Sequence, residues 1–310
     1  MVAYLLLYKI AQLFVVMMLG FLLVKLGLVK SCDSTVLSRI SLYLLMPCAI
    51  IESFRVELTG DVLSGLLFAF VAAVAVHLLL FGVDFVYARL TGVSKLERAS
   101  VFYSNSGNLI IPIVTFCLGG EYVIYATAFL VVQLILIWTH GVCFFVGKEG
   151  RSLKKILLNV NLLAIVLGAI LLAFRVRVPN FIGEITSSLG SMVGYVGMLI
   201  AGMTAASVDL SKTLRRRGLY AVCLMRTVVV PALALALLLA ILAVSRVAGE
   251  EKILLITFLA TMTPTAATIL QFAQIHDTEP DYAVAINVAS TLLAILTMPL
   301  FVLLYETLAM

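Results

Sequence analysis

The stretch Ser104-Asn105-Ser106-Gly107-Asn108-Leu109-Ile110-Ile111-Pro112 lies in the middle of an otherwise apolar run, Ala99–Leu118. A proline inside a helix removes one backbone hydrogen bond, and its ring clashes with the carbonyl four residues back. Here that carbonyl belongs to Asn108. Gly107 lets the chain leave helical geometry cheaply. Peptide groups freed at this depth are tolerated only where protein or a water-filled cavity satisfies them. The stretch therefore predicts two half-helices with a break at Gly107–Ile111. A second run, Ile253–Ala273, repeats the device with Thr261-Met262-Thr263-Pro264-Thr265-Ala266-Ala267-Thr268.

The N-terminus of a half-helix presents a positive dipole end and unpaired N–H groups, which suit a carboxylate. The candidate binding residues are therefore Asn105, Ser106, Gly107, Asn108 and Pro112 in the first stretch, and Thr263, Pro264, Thr265 and Thr268 in the second. The plainer alternative is a proline kink whose Ser, Thr and Asn side chains bond neighbouring helices. Two interrupted runs at matching places favour a site.

Composition settles the environment. Of the 310 residues, 63% are hydrophobic and 12% charged, and the mean hydropathy is +1.19. A soluble domain carries about 45–50% apolar and about 25% charged residues. A bilayer accepts the excess because lipid solvates the outer helix faces. Five cysteines, Cys32, Cys48, Cys117, Cys143 and Cys223, are scattered without a C-x-x-C pair, as small packing residues would be. The net charge of +5 fits basic cytoplasmic loops better than nucleic acid.

Ten runs of membrane-spanning length follow: Tyr4–Leu26, Thr35–Phe54, Val62–Tyr87, Ala99–Leu118, Tyr122–Val146, Ile156–Phe174, Phe181–Val208, Leu219–Val244, Ile253–Ala273 and Ala283–Leu304. The interrupted runs are spans 4 and 9. With the N-terminus outside, inner segments hold Lys25, Lys30, Arg39, Arg89, Lys95, Arg98, Lys148, Arg151, Lys154, Lys155, Lys212, Arg215, Arg216 and Arg217. Outer segments hold Lys9, Arg55, Arg175, Arg177, Arg246 and Lys252. The excess of inner basic residues puts both termini outside.

Spans 5 and 10 contain Tyr125-Ala126-Thr127-Ala128 and Tyr282-Ala283-Val284-Ala285, and each follows an interrupted span. Five spans per half require opposite orientations, so residues 1–146 and 147–310 read as inverted five-helix repeats. The fold class expected is an all-α integral membrane protein with broken crossing helices in spans 4 and 9.

Other polar residues lie inside the spans. His77 and Asp84 are seven residues apart on one face of span 3 and are candidates for proton coupling. A hydrated Asp84 near the span end is the plainer reading. Arg226 in span 8 is a candidate to neutralise a substrate charge, brace the crossing or snorkel to the inner surface. Gln133 and His140 in span 5 either line a pathway or bond across helices. Gly190, Gly194 and Gly197 form a small-residue stripe for close packing. No Walker loop, G-x-S-x-G or H-E-x-x-H occurs, which argues against an ATP-driven pump or a hydrolase. No cofactor or metal is expected.

Four stretches resemble the auxin efflux carrier family: Leu42-Tyr43-Leu44-Leu45-Met46-Pro47; Asn105 to Pro112; Arg226-Thr227-Val228-Val229-Val230-Pro231; and Thr263-Pro264-Thr265-Ala266 with Ser290 to Pro299. The resemblance covers essentially the whole chain. It implies a cell-membrane secondary carrier of small organic anions, such as auxin or dicarboxylates, with elevator-type motion. It also implies a scaffold of spans 1, 2, 6 and 7 and a transport domain of spans 3–5 and 8–10. The fold is similar as well to that of bile acid sodium symporters, so proton or sodium coupling and homodimer formation are open. Alternatives are a sodium-coupled symporter of a larger amphipathic anion and a ligand sensor that does not transport. The sequence departs from the family at Ile110, where a second Gly is common, and at Thr265 and Thr268, where Asn is common. The link between spans 5 and 6 is short. These departures point away from plant auxin and toward a prokaryotic carboxylate carrier.

Overall fold

The apolar runs fold as helices. The structure, a computed structural model, describes residues 2–57, 59–147, 154, 158–176, 178–207, 215–245, 247 and 249–309. In chain order the helices are α1 (Val2–Lys25), α2 (Ser31–Ser53), α3 (Gly60–Thr91), α4 (Lys95–Phe102), α5 (Ser106–Cys117), α6 (Gly120–Val146), α7 (Val160–Ala173), α8 (Asn180–Ala205), α9 (Arg217–Val244), α10 (Glu250–Met262), α11 (Ala267–Ile275) and α12 (Pro280–Ala309). Among the described residues the one β contact is an isolated bridge between Ser104 and Thr265. Seven of the helices, α1, α2, α3, α6, α8, α9 and α12, are long and apolar enough to cross a membrane. The other three predicted spans hold shorter helices: α4 then α5, α7 alone, and α10 then α11. Ile156 and Val208, at predicted span ends, lie outside the described residues, as do the loop cations Lys148, Arg151, Lys155, Arg177, Lys212 and Arg246.

Local chemistry sets the boundaries. Thr59 caps α3 by accepting from the Val62 N–H at 3.2 Å, and α3 ends on Gly92 at φ 61°, the left-handed position glycine favours. Ser94 and Glu97 form a capping box that starts α4. Two prolines widen a helix instead of breaking it. The carbonyls that Pro47 and Pro231 would clash with belong to Tyr43 and Thr227. Both lie in single π-helical turns, Ser41–Leu45 in α2 and Met225–Val229 in α9. One wide turn absorbs the missing bond and the ring.

Glycines decide how closely the helices meet. A Cβ on Gly202 of α8 would stand 1.8 Å from the Met17 carbonyl oxygen of α1, and one on Gly20 would stand 2.4 Å from that of Leu199. Backbone against backbone is the small-residue contact that membrane helices use in place of a hydrophobic driving force. The expected stripe continues this face. A Cβ at Gly190 would meet Ala49 of α2 at 2.8 Å, and one at Gly194 would meet the Pro112 ring of α5 at 2.7 Å. Gly202→Val is therefore expected to lower the stability of the detergent-solubilised protein by about 1–3 kcal/mol through overpacking. Gly82→Val, whose Cβ meets open space, is the comparison. Equal thermal midpoints for the two variants would refute the close α1–α8 contact.

Candidate functional site

Pro264 disfavours helical geometry at the residue before it, and Thr263 is extended at φ −56°, ψ 149°. The peptide groups from Thr263 to Ala266 must then find partners outside their own helix. They meet a second break, between α4 and α5, where Tyr103 is extended at φ −94°, ψ 125°. The Asn105 N–H donates to the Pro264 carbonyl at 2.7 Å, and the Ala266 N–H donates to the Tyr103 carbonyl at 3.0 Å. These bonds make the antiparallel bridge that pairs Ser104 with Thr265.

Side chains satisfy the outer peptide groups of that bridge. Gln133 Oε1 accepts from the Ser104 N–H and hydroxyl at 3.3 and 2.6 Å. Its Nε2 donates to the Ser104 carbonyl and to Ser106 Oγ, both at 2.9 Å. On the other side Ser290 Oγ accepts from the Thr265 N–H at 3.2 Å, and Asn287 Nδ2 donates to the Thr265 carbonyl at 2.8 Å. Helix α6 thus serves one break and α12 the other. Ser290 stands as far after Tyr282 as Gln133 stands after Tyr125. The weak repeat in the sequence therefore held a signal for Ser290.

The first break is displaced from its expected place at Gly107–Ile111. It falls at Tyr103–Asn105, and both Gly107 and Pro112 lie inside α5. Within α5 the proline forfeits one intrahelical bond, whereas the bridge and Gln133 can satisfy open peptide groups only at 103–105. Pro112 packs against Gly194.

The carboxyl ends of α4 and α10 converge on Arg226, which is fully buried. Its Nε donates to the Thr263 carbonyl at 3.0 Å and its Nη1 to that of Val101 at 3.0 Å. Its Nη2 donates to the Thr263 carbonyl at 2.7 Å and also to that of Thr261. The last carbonyls of a helix lack intrahelical partners and carry the negative end of its dipole. A planar fork of five donors satisfies several at once. Of the roles open to Arg226, bracing the breaks is the one its contacts match.

The second half-helices, α5 and α11, begin at a cavity of ≈ 450 Å³. The starts of α5 and α11 border it through Asn105, Gly107, Asn108, Ala267 and Thr268. Neither helix start has a side-chain cap, and Asn108 Nδ2 donates to Asn105 Oδ1 at 3.0 Å. The far wall comes from α2, α7 and α8. Among the described lining residues Arg39 is the one charged side chain. The sequence suggested it only as a loop cation.

The other candidates stand elsewhere. Ser106 is buried behind the cavity on Gln133. Thr263 bonds the Ala260 carbonyl at 2.9 Å, and Thr265 that of Ser100 at 3.0 Å. Pro264 lines a small apolar pocket with Leu13 and Ile113. These residues, with Pro112, do not line the large cavity. His77 and Asp84 do not pair in the structure. Asp84 holds Arg98 through two bonds of 2.9 and 2.6 Å. His77 Nδ1 lies 2.7 Å from the Ala73 carbonyl, and its ring packs on Phe129. Lys9, assigned from the sequence to an outer segment, is buried in α1. It bonds Tyr195 Oη at 3.0 Å and stands over the Phe116 ring.

A family model described as membrane transport protein matches the chain twice, over residues 5–156 and 149–302. No curated protein matches the chain.

Arg226→Met would leave three buried carbonyls without their donor. It is expected to cost at least about 2–3 kcal/mol of stability in denaturant unfolding. Arg226→Lys should recover part of this, since an ammonium lacks the planar fork. A methionine variant as stable as the parent would show that the arginine does not hold the two breaks together.

Proposed function

Since the chain belongs to the membrane transport protein family, that of the auxin efflux carriers, we propose that it is a secondary carrier moving a small organic anion by alternating access. One observation carries this reading: two uncapped helix N-termini, from different halves of the chain, border one cavity. Unpaired N–H groups and the positive dipole ends suit a carboxylate. Asn105, Asn108 and Thr268 supply hydrogen bonds of fixed direction beside them.

In this reading spans 4 and 9 are broken crossing helices of two inverted five-helix repeats. Spans 3–5 and 8–10 move, elevator fashion, against a scaffold of spans 1, 2, 6 and 7. The smooth face of α8 supports it. A Cβ at Gly194 would meet the Pro112 ring at 2.7 Å, and one at Gly197 would meet Asn108 Cβ at 3.3 Å, so the site helix abuts a surface without protruding side chains. The cavity also reaches Ser34 and Thr35 near one end of α2 and Gln274 and Ile275 at the end of α11. With basic loops inside, that is the cytoplasmic end, and the conformation is inward-facing, in a cell-membrane protein with both termini outside.

Asn108→Leu is expected to abolish flux of labelled carboxylates in proteoliposomes while leaving the yield of folded protein unchanged. Undiminished flux would remove the α5 N-terminus from the pathway. Exchanging sodium for potassium in the same assay reports whether sodium drives transport. Binding without flux would favour a sensor.

A further inference from the structure

The wall opposite the helix N-termini carries polar groups for which a simple monocarboxylate has no use. Ser41 and Asn161 both line the cavity, and each is only 5% exposed. Among the described residues, Ser41 Oγ and Asn161 Oδ1 have no hydrogen-bond partner. Buried polar atoms are rarely left so, because an unmade bond there costs free energy. Ser41 opens the π-helical turn of α2, a local distortion often found at functional sites. Arg39, two residues earlier, lines the same cavity and is exposed. No ion pair engages it among the described residues.

Arg39 and Ser41 are set apart from the helix N-termini. Met46 of α2 marks the level of α5, since its Cε lies 3.5 Å from where a Gly107 Cβ would stand. Ser41 and Arg39 precede Met46 by five and seven residues, about 8 and 10 Å along a helix rising 1.5 Å per residue.

We propose that Arg39, Ser41 and Asn161 form a second subsite, which binds a second oxygen-bearing group of the transported acid. The ligand is then elongated, with a carboxylate on the starts of α5 and α11 and a further anionic or hydroxyl end on α2 and α7. Arg39 supplies the charge, and Ser41 and Asn161 supply bonds of defined direction. The inference rests on the carrier reading of the helix N-termini. It adds that selectivity is set by the helices that do not carry the breaks.

Adipate and hexanoate are suitable probes, because they share a chain length and differ in the second carboxylate. Their affinities for the purified full chain, measured by calorimetry, should differ by about tenfold in favour of adipate, the scale of one charge-assisted hydrogen bond. Arg39→Gln should bring the ratio of the two affinities close to one, and Ser41→Ala should lower it in the same direction. Asn108→Leu should weaken both acids and leave their ratio in place. A parent protein without preference for adipate, or a preference that survives Arg39→Gln and Ser41→Ala, overturns the second subsite. If Asn108→Leu still weakens both acids in that case, the carrier reading stands alone. If Asn108→Leu changes neither acid, the carrier reading fails and takes this inference with it.

Discussion

Two broken helices inside an apolar protein leave peptide groups without intrahelical partners, and those at the breaks themselves find theirs in the protein. The solution here is mutual. The break before α5 and the break before α11 are joined by two main-chain hydrogen bonds, Asn105 to Pro264 and Ala266 to Tyr103. Gln133 serves the peptide of Ser104, and Asn287 with Ser290 serves that of Thr265. Arg226 then collects the carbonyls at the ends of α4 and α10. None of these elements is satisfied alone, so the surrounding helices are bound to one another by the need to satisfy the gaps.

That arrangement also sorts charge. The negative ends of the two half-helices are turned inward and met by a guanidinium. The positive ends of the other two halves are left uncapped beside a cavity. The main-chain groups of the breaks are paired across the bridge, and Ser104, Asn105 and Ala266 border the same cavity as the electropositive helix starts. A helix terminus in such a setting is poorly screened, so its partial charge acts more strongly than it would in water.

The membrane class was legible from composition and the break in span 9 from Pro264, whereas span 4 was read as broken at Gly107–Ile111 and breaks instead at Tyr103–Asn105. Other parts were not, for physical reasons. A proline in an apolar run has several outcomes, and this chain uses three. Pro264 breaks a helix, Pro47 and Pro231 each accompany one wide turn, and Pro112 sits within α5. Local sequence cannot choose among them, because the choice depends on which partners wait nearby. Residues 103–105 break without a proline because the extended segment at Thr263–Ala266 and Gln133 are there to pair them. Arg39 and Asn161 read as parts of a loop and of an apolar run, and only packing brings them to one wall. Asp84 was paired with His77 by helical spacing, yet it binds Arg98, which the next helix delivers.

The bridge between Ser104 and Thr265 has a consequence for how the chain is made. Its two sides belong to opposite halves of the polypeptide. At 5–20 residues per second, the first break waits on the order of ten seconds for the second to be synthesised. During that interval Tyr103 and Asn105 expose main-chain groups that only later residues can pair. The first half must therefore be sheltered by water, the insertion machinery or a provisional contact until its counterpart arrives, and the two halves complete their fold together.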